Sequence, residues 1–239
     1  MAEGRCIFGL KVGYHPAMTI RLAVLGDSIG AGQGASDPSE TLAARLTAGL
    51  AVYHIEATTR VFAVSGAGSS ALRAQVGRAL RWDPDVAVVV IGSNDLTRRT
   101  PPESAARALG HAVRQLRADG VEVVVAPAPD LSVVPHVPSG LRAVVRAASV
   151  LLRDHQIAQV TAEGGQVADI EGLTSRTFAS DPSMFSSDRF HPSSAGYAVI
   201  ADSLLPLVLD AAKAAATGRR MSGEQPPSPG VGNAMSPRH

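Results

Sequence analysis

From Ile20 onward the chain alternates short apolar runs with longer stretches in which apolar residues recur every three to four positions. The short runs IRLAVLG (20–26), RVFAVS (60–65), DVAVVVIG (85–92), VEVVVAPA (121–128) and the weaker QVADI (166–170) predict strands. Two of them, AVVVIG and VEVVVA, are rich in β-branched residues, as strands buried on both faces are. Helical spacing fits PSETLAARLTAGLA (38–51), SSALRAQVGRALRW (69–82), PPESAARALGHAVRQLRADG (101–120), GLRAVVRAASVLLRDHQIAQV (140–160) and SAGYAVIADSLLPLVLDAAKAAA (194–216). Pro38 suits a helix start and Gly120 a helix end. The alternation predicts an α/β fold, a parallel sheet with helices on both faces.

Outside that alternation the pattern lapses. Residues 1–18 read as an irregular extension, 19–212 as one domain, and 213–239, rich in Pro, Gly and Ser, as a disordered tail. Residues 173–191 read as a long loop between the last strand and the last helix, the kind of segment that is often functional. No apolar run approaches the roughly 18 residues of a membrane span, and the first residues carry no export signal, so a cytoplasmic location without stable membrane insertion is expected.

Composition narrows the function classes. With 239 residues, 45% hydrophobic and 18% charged, the chain suffices for one ordinary core. A net charge of +1, with arginines scattered among acids, gives no basic stripe for nucleic acid. The single cysteine, Cys6, supports neither an internal disulfide nor a zinc site.

Four segments at or near the carboxyl ends of predicted strands carry chemistry, and open α/β sheets place their ligands at those ends. Gly26-Asp27-Ser28-Ile29-Gly30 bares a serine hydroxyl on a turn made sharp by glycines. Ser65-Gly66-Ala67-Gly68 lets a backbone N–H approach a substrate oxygen. Gly92-Ser93-Asn94-Asp95 offers a neutral amide donor, though an Asx turn or cap explains it equally. Asp188-Arg189-Phe190-His191-Pro192 sets an acid and an imidazole three residues apart. A serine hydroxyl is a poor nucleophile until a base takes its proton, and the base works best when a carboxylate fixes its tautomer. Pro192 suits the first position of the following helix, which would put the His191 ring at a helix N-terminus.

Taken in order, these four segments resemble the four blocks of the SGNH (GDSL) hydrolases over about Ile20 to Ala212. The resemblance implies a flavodoxin-like SGNH hydrolase fold, a three-layer α/β/α sandwich around a five-stranded parallel sheet. It further implies a triad of Ser28, Asp188 and His191, with an oxyanion hole from the Ser28 N–H, the Gly66 N–H and the Asn94 amide. The second block departs from many relatives: Phe62-Ala63-Val64-Ser65 stands where they carry an asparagine, which leaves the choice between Gly66 and Gly68 open. The implied activity is ester hydrolysis. Since the triad supplies nucleophile, base and oxyanion donors, no metal and no organic cofactor is expected. A chain only 4% aromatic, with few rings to stack on a polysaccharide, points to small acyl esters, short to medium in chain length. An acyltransferase with the same triad is the alternative.

Two other readings compete. Gly-x-Ser-x-Gly at 26–30 also fits the nucleophile elbow of α/β-hydrolases, but that elbow follows several strands and only one precedes Ser28. Gly66-Ala67-Gly68-Ser69-Ser70-Ala71 fits a dinucleotide fingerprint, yet on the wrong βα unit and leaving Asp188 and His191 without a role. His111, His136 and His155 have no ligand partners at useful spacing and read as structural or solvent-facing. Asp27 and Asp95 read as loop braces, Trp82 as a packing residue, and Asp130 with its Pro-Ala-Pro neighbours as a lining of the substrate pocket.

Overall fold

A computed structural model describes residues 19–168 and 171–222. The expected N-terminal extension, Cys6, residues 169 and 170 of the fifth predicted strand, and the chain beyond Ser222 lie outside the described residues. Five parallel strands, β1 (Ile20–Gly26), β2 (Ala57–Val61), β3 (Val86–Val90), β4 (Glu122–Ala126) and β5 (Gln166–Val167), form one sheet in the order β2-β1-β3-β4-β5. That order is flavodoxin-like, and helices cover both faces.

Side-chain alternation along the strands builds the two cores. Leu22, Val86, Val88 and Val124 point to one face, where helices α1 (Leu42–Val52) and α7 (Ser194–Ser222) pack with Leu46, Leu50 and Leu204. Ala23, Leu25, Val89 and Val125 point to the other, against α2 (Leu72–Leu80), α4 (Pro102–Ala118) and Val160 of α5 (Arg142–Ala162). Both sets are fully buried, so truncating a residue such as Leu25 costs roughly 2–5 kcal/mol.

Several elements differ from their predicted form. The second strand ends at Val61 rather than Ser65, because the Phe62 and Ala63 N–H groups both turn onto the Val24 carbonyl, a bulge that breaks the ladder before the Val64 N–H meets the Gly26 carbonyl at 3.1 Å. The predicted loop at 173–191 contains a helix, α6 (Glu171–Ser180), and a 3-10 turn, Pro182–Met184. Helix α6 forms because Thr174 and Phe178, one turn apart, share a face and Phe178 buries itself in the core. A further short helix, α3 (Ser93–Thr97), follows β3. The last helix continues past Ala212 through Ser222, where the run AAKAAA favours helix over the tail expected from residue 213. Its segment Ser194–Gly218 is long and apolar enough to cross a bilayer, against the expectation that no segment reaches that length, and half of its most apolar window is buried in this domain.

Candidate active site

Ser28 follows β1 at the point where successive connections run to opposite sides of the sheet, β1 to β2 on one and β3 on the other. The turn starts from Gly26, whose φ is +129° and where a Cβ would lie 1.8 Å from the Val90 carbonyl oxygen, so only glycine fits. The Gln33 N–H then donates to the Ser28 carbonyl at 2.9 Å, closing the turn. Buried Tyr197 of α7 braces it from below, its hydroxyl donating to the Gln33 carbonyl at 2.8 Å.

Helix α7 starts at Ser194, and Ser193 caps it by accepting the Gly196 N–H. Pro192 therefore does not occupy the first helical position; it pairs with Phe185 in an isolated antiparallel bridge, which pins the preceding loop. On that loop His191 Nε2 stands 3.0 Å from Ser28 Oγ and His191 Nδ1 stands 2.6 Å from Asp188 Oδ2. The other Asp188 oxygen accepts the Phe190 and His191 backbone N–H groups and the Ser186 hydroxyl. Burial pushes the Asp188 carboxyl up, but the His191 ring and these donors outweigh it and hold it well below the usual carboxylate range. Such a line of hydroxyl, imidazole and ionised carboxylate can withdraw a proton from the serine.

Asn94 lies in the first turn of α3, and its amide Nδ2 donates to the Ala67 carbonyl at 3.0 Å, which ties α3 to the Gly66–Gly68 turn. Gly66 has φ +77°, and Arg98 donates to its carbonyl at 2.7 Å. Among the described residues neither the Ser28 nor the Gly66 N–H has an acceptor. Gly68 lies against a carboxylate: a Cβ there would be 3.1 Å from Asp95 Oδ1. That carboxylate also accepts the Ser69 N–H and hydroxyl, so the start of α2 already holds an anion and the dinucleotide reading loses its phosphate site.

Asp27 and Asp95 brace their loops as expected. Asp27 accepts the Ile29 N–H at 3.0 Å and is fully buried. Burial, reinforced by the neighbouring Asp95 carboxylate and only partly offset by the Ile29 N–H, pushes the Asp27 carboxyl up to about 7. Asp130 lines a largely apolar chamber that begins at Ser28 and His191 and is walled by Leu131, Phe178 and Phe185. Among the described residues no group of three or more His, Cys, Asp or Glu converges to form a metal cage.

Three positioning residues escaped the sequence reading. Gln75 on α2 clamps Gly26 through both its N–H (2.7 Å) and its carbonyl (2.8 Å). Gln156 on α5 does the same for the ends of β3 and β4, accepting the Ala128 N–H at 2.7 Å and donating to the Ile91 carbonyl at 3.2 Å. Both interrupt an apolar helical stripe, Leu72-Gln75-Ala79 and Leu152-Gln156-Val160, and that interruption was a readable signal. The third is His136, whose Nε2–H donates to the Asp188 carbonyl at 2.8 Å and links the loop after β4 to the acid. Nothing in its spacing announced this.

The chain is 36% identical over 198 residues to the GDSL-like esterase Rv1075c of Mycobacterium tuberculosis, an alignment covering 80% of this chain and 62% of that protein. The chain thus spans under two thirds of that relative's length. Among solved structures, TesA superposes with a TM-score of 0.67 at 21% identity, over 80% of this chain and 99% of TesA. The psychrotrophic esterase EstA of a Pseudoalteromonas species gives 0.61 at 16% identity, over 83% of this chain and 99% of EstA. These two likenesses are of fold. A model of the GDSL-like lipase/acylhydrolase family matches residues 24–199, and the chain belongs to that family.

Proposed function

We propose that the protein is a carboxylic ester hydrolase acting through Ser28, His191 and Asp188. The observation that carries the reading is the unbroken line Ser28 Oγ, His191 Nε2, His191 Nδ1, Asp188 Oδ2, with contacts of 3.0 and 2.6 Å. Ser28 attacks the ester carbonyl while His191 takes its proton, then returns it to the leaving alcohol. Water, deprotonated by the same imidazole, attacks the acyl-enzyme and releases the acid. Asp188 stays ionised and stabilises the imidazolium.

The oxyanion is received by the free Ser28 and Gly66 N–H groups and the Asn94 amide. Gly66 is favoured over Gly68 because an oxyanion beside the Asp95 carboxylate would be repelled. Nucleophile, base and oxyanion donors all come from the chain, so the reaction needs no metal or organic cofactor. A chain only 4% aromatic has few rings to stack on a polysaccharide, which supports small esters of short to medium acyl length.

The test is hydrolysis of p-nitrophenyl esters from acetyl to long acyl by the wild type and by Ser28→Ala. Cleavage by the wild type alone supports the reading. Equal cleavage by both removes Ser28 from the chemistry, and absence of cleavage in both points to an acyltransferase that requires its own acceptor.

A further inference from the structure

We infer that the apolar chamber beside Ser28 holds the acyl chain of the substrate, and that Phe178 on α6 sets the longest chain it accepts. This rests on the ester-hydrolase reading and names the substrate side that reading leaves open.

The chamber has its mouth at Ser28 and His191 and runs under the loop after β4 toward α6. Its inner wall is core: Phe178 and Phe185 are each 8% exposed and Ile200 is 6% exposed. Phe178 and Phe185 meet edge to face, with ring centroids 5.1 Å apart and planes at 88°. The Phe178 ring also abuts Gly196 of α7, where a Cβ would lie 2.9 Å from Phe178 Cζ. Phe178 therefore has no room to retreat. On the other side of the serine the Gly66–Gly68 turn borders an open groove edged by Arg78 and Arg98.

The order of product release decides which half of the ester each side takes. The alcohol leaves first, while the acyl group is still bound to Ser28 and fills the mouth of its own binding site. An alcohol lodged in a chamber closed by the core would be trapped behind the acyl-enzyme. An acyl chain fits there, because it stays attached until water, arriving from the open side, cuts it loose. The apolar lining suits an alkyl chain: each buried methylene strengthens transition-state binding about fourfold. Chain length then counts until the terminal carbon meets the Phe178–Phe185 pair.

Thr174 sits one turn before Phe178, also lines the chamber, and its Oγ1 is buried without a hydrogen-bond partner among the described residues. Replacing it by leucine fills the chamber and sacrifices no side-chain hydrogen bond there. The experiment measures kcat/KM for wild type, Phe178→Ala and Thr174→Leu on two series: p-nitrophenyl esters of lengthening acyl group, and acetyl esters of lengthening alcohol. Each value is divided by the same variant's rate on p-nitrophenyl acetate, which cancels losses from partial misfolding.

The expected result is that Phe178→Ala raises the long-to-acetyl ratio about tenfold or more while Thr174→Leu lowers it by a similar factor, with the alcohol series unmoved. If Phe178→Ala does not fold, Thr174→Leu alone decides. Active variants with unchanged acyl profiles, or a response in the alcohol series instead, would overturn the assignment. A wild type inactive on every ester would overturn the hydrolase reading and this assignment together.

Discussion

Asp188 grips His191 at two points: one carboxylate oxygen meets the ring at Nδ1, 2.6 Å away, and the other accepts the same residue's backbone N–H at 2.9 Å. The double hold fixes both the tautomer and the angle of the ring toward Ser28. Asp188→Asn is isosteric, so the loop should keep its shape, but the amide can present a donor to Nδ1 and favour the wrong tautomer. We expect kcat to fall by roughly 10³–10⁴ with little change in KM. A loss under tenfold would remove Asp188 from the proton-transfer line.

Asn94 makes a single side-chain hydrogen bond among the described residues, from Nδ2 to the Ala67 carbonyl, so its amide retains a second N–H for a developing oxyanion. Asn94→Ala should lower kcat by about 10²–10³. Circular dichroism and thermal unfolding should show the protein still folded, since the side chain is only partly buried. Full turnover in a folded variant would assign the oxyanion hole to backbone groups alone.

The layered architecture was legible in the sequence because strands buried on both faces leave an unmistakable mark: Val86 to Val90 and Val123 to Val125 are apolar without interruption. The candidate site residues were legible because Ser28 and Asn94 fall on short motifs just past β1 and β3, and Asp188 and His191 share one short motif before the last helix. Edge strand β2 was misplaced because it is mostly exposed, so apolarity drew the expected strand toward Phe62 when the pairing is set by Ala57 to Val61 against Ile20 to Val24. Helix α6 was missed because its apolar contact comes chiefly from Phe178, too little for a periodic signal. His136 acts through a backbone carbonyl of a residue far away in sequence, a contact that no local pattern encodes.

Gln75 supports the Ser28 turn from beneath, its buried amide bonding both the N–H and the carbonyl of Gly26. Gln75→Met keeps the length of the side chain and removes both bonds, leaving the Gly26 N–H without a partner while the Gly26 carbonyl keeps the Val64 N–H at 3.1 Å. The one orphaned N–H costs roughly 1–3 kcal/mol, so the thermal midpoint should drop by several degrees. Because Ser28 is two residues further on, kcat should fall as well, whereas a substitution on the exposed side of α2, such as Arg73→Ala, should move neither. An unaltered midpoint would show that the clamp adds no stability.

Asp27 makes a prediction about pH. Its carboxyl is raised from 3.8 to about 7 in the folded protein by burial and by the Asp95 charge, while the unfolded chain retains the ordinary value. Below the unfolded value both states carry the proton and the native state bears no penalty. As pH climbs through the folded value, the native state must either hold its proton against a rising gradient or ionise a buried group, so stability is lost. A tenfold difference in proton affinity between the two states corresponds to about 1.4 kcal/mol, which makes the loss roughly a few kcal/mol between about pH 4 and 8. Asp188 acts in the opposite sense and only in acid, since its carboxyl is lowered and its stabilisation disappears as pH falls below the ordinary carboxylate range. Tyr197, whose phenol is raised by burial and then by the Asp27 and Asp188 charges, keeps its proton throughout that window. Asp27→Asn leaves the acceptor for the Ile29 N–H in place and removes the titration. Guanidinium unfolding at pH 5 and pH 8 should therefore show the wild type losing ground to Asp27→Asn as pH rises, and parallel curves for the two proteins would mean that Asp27 is already ionised at pH 5.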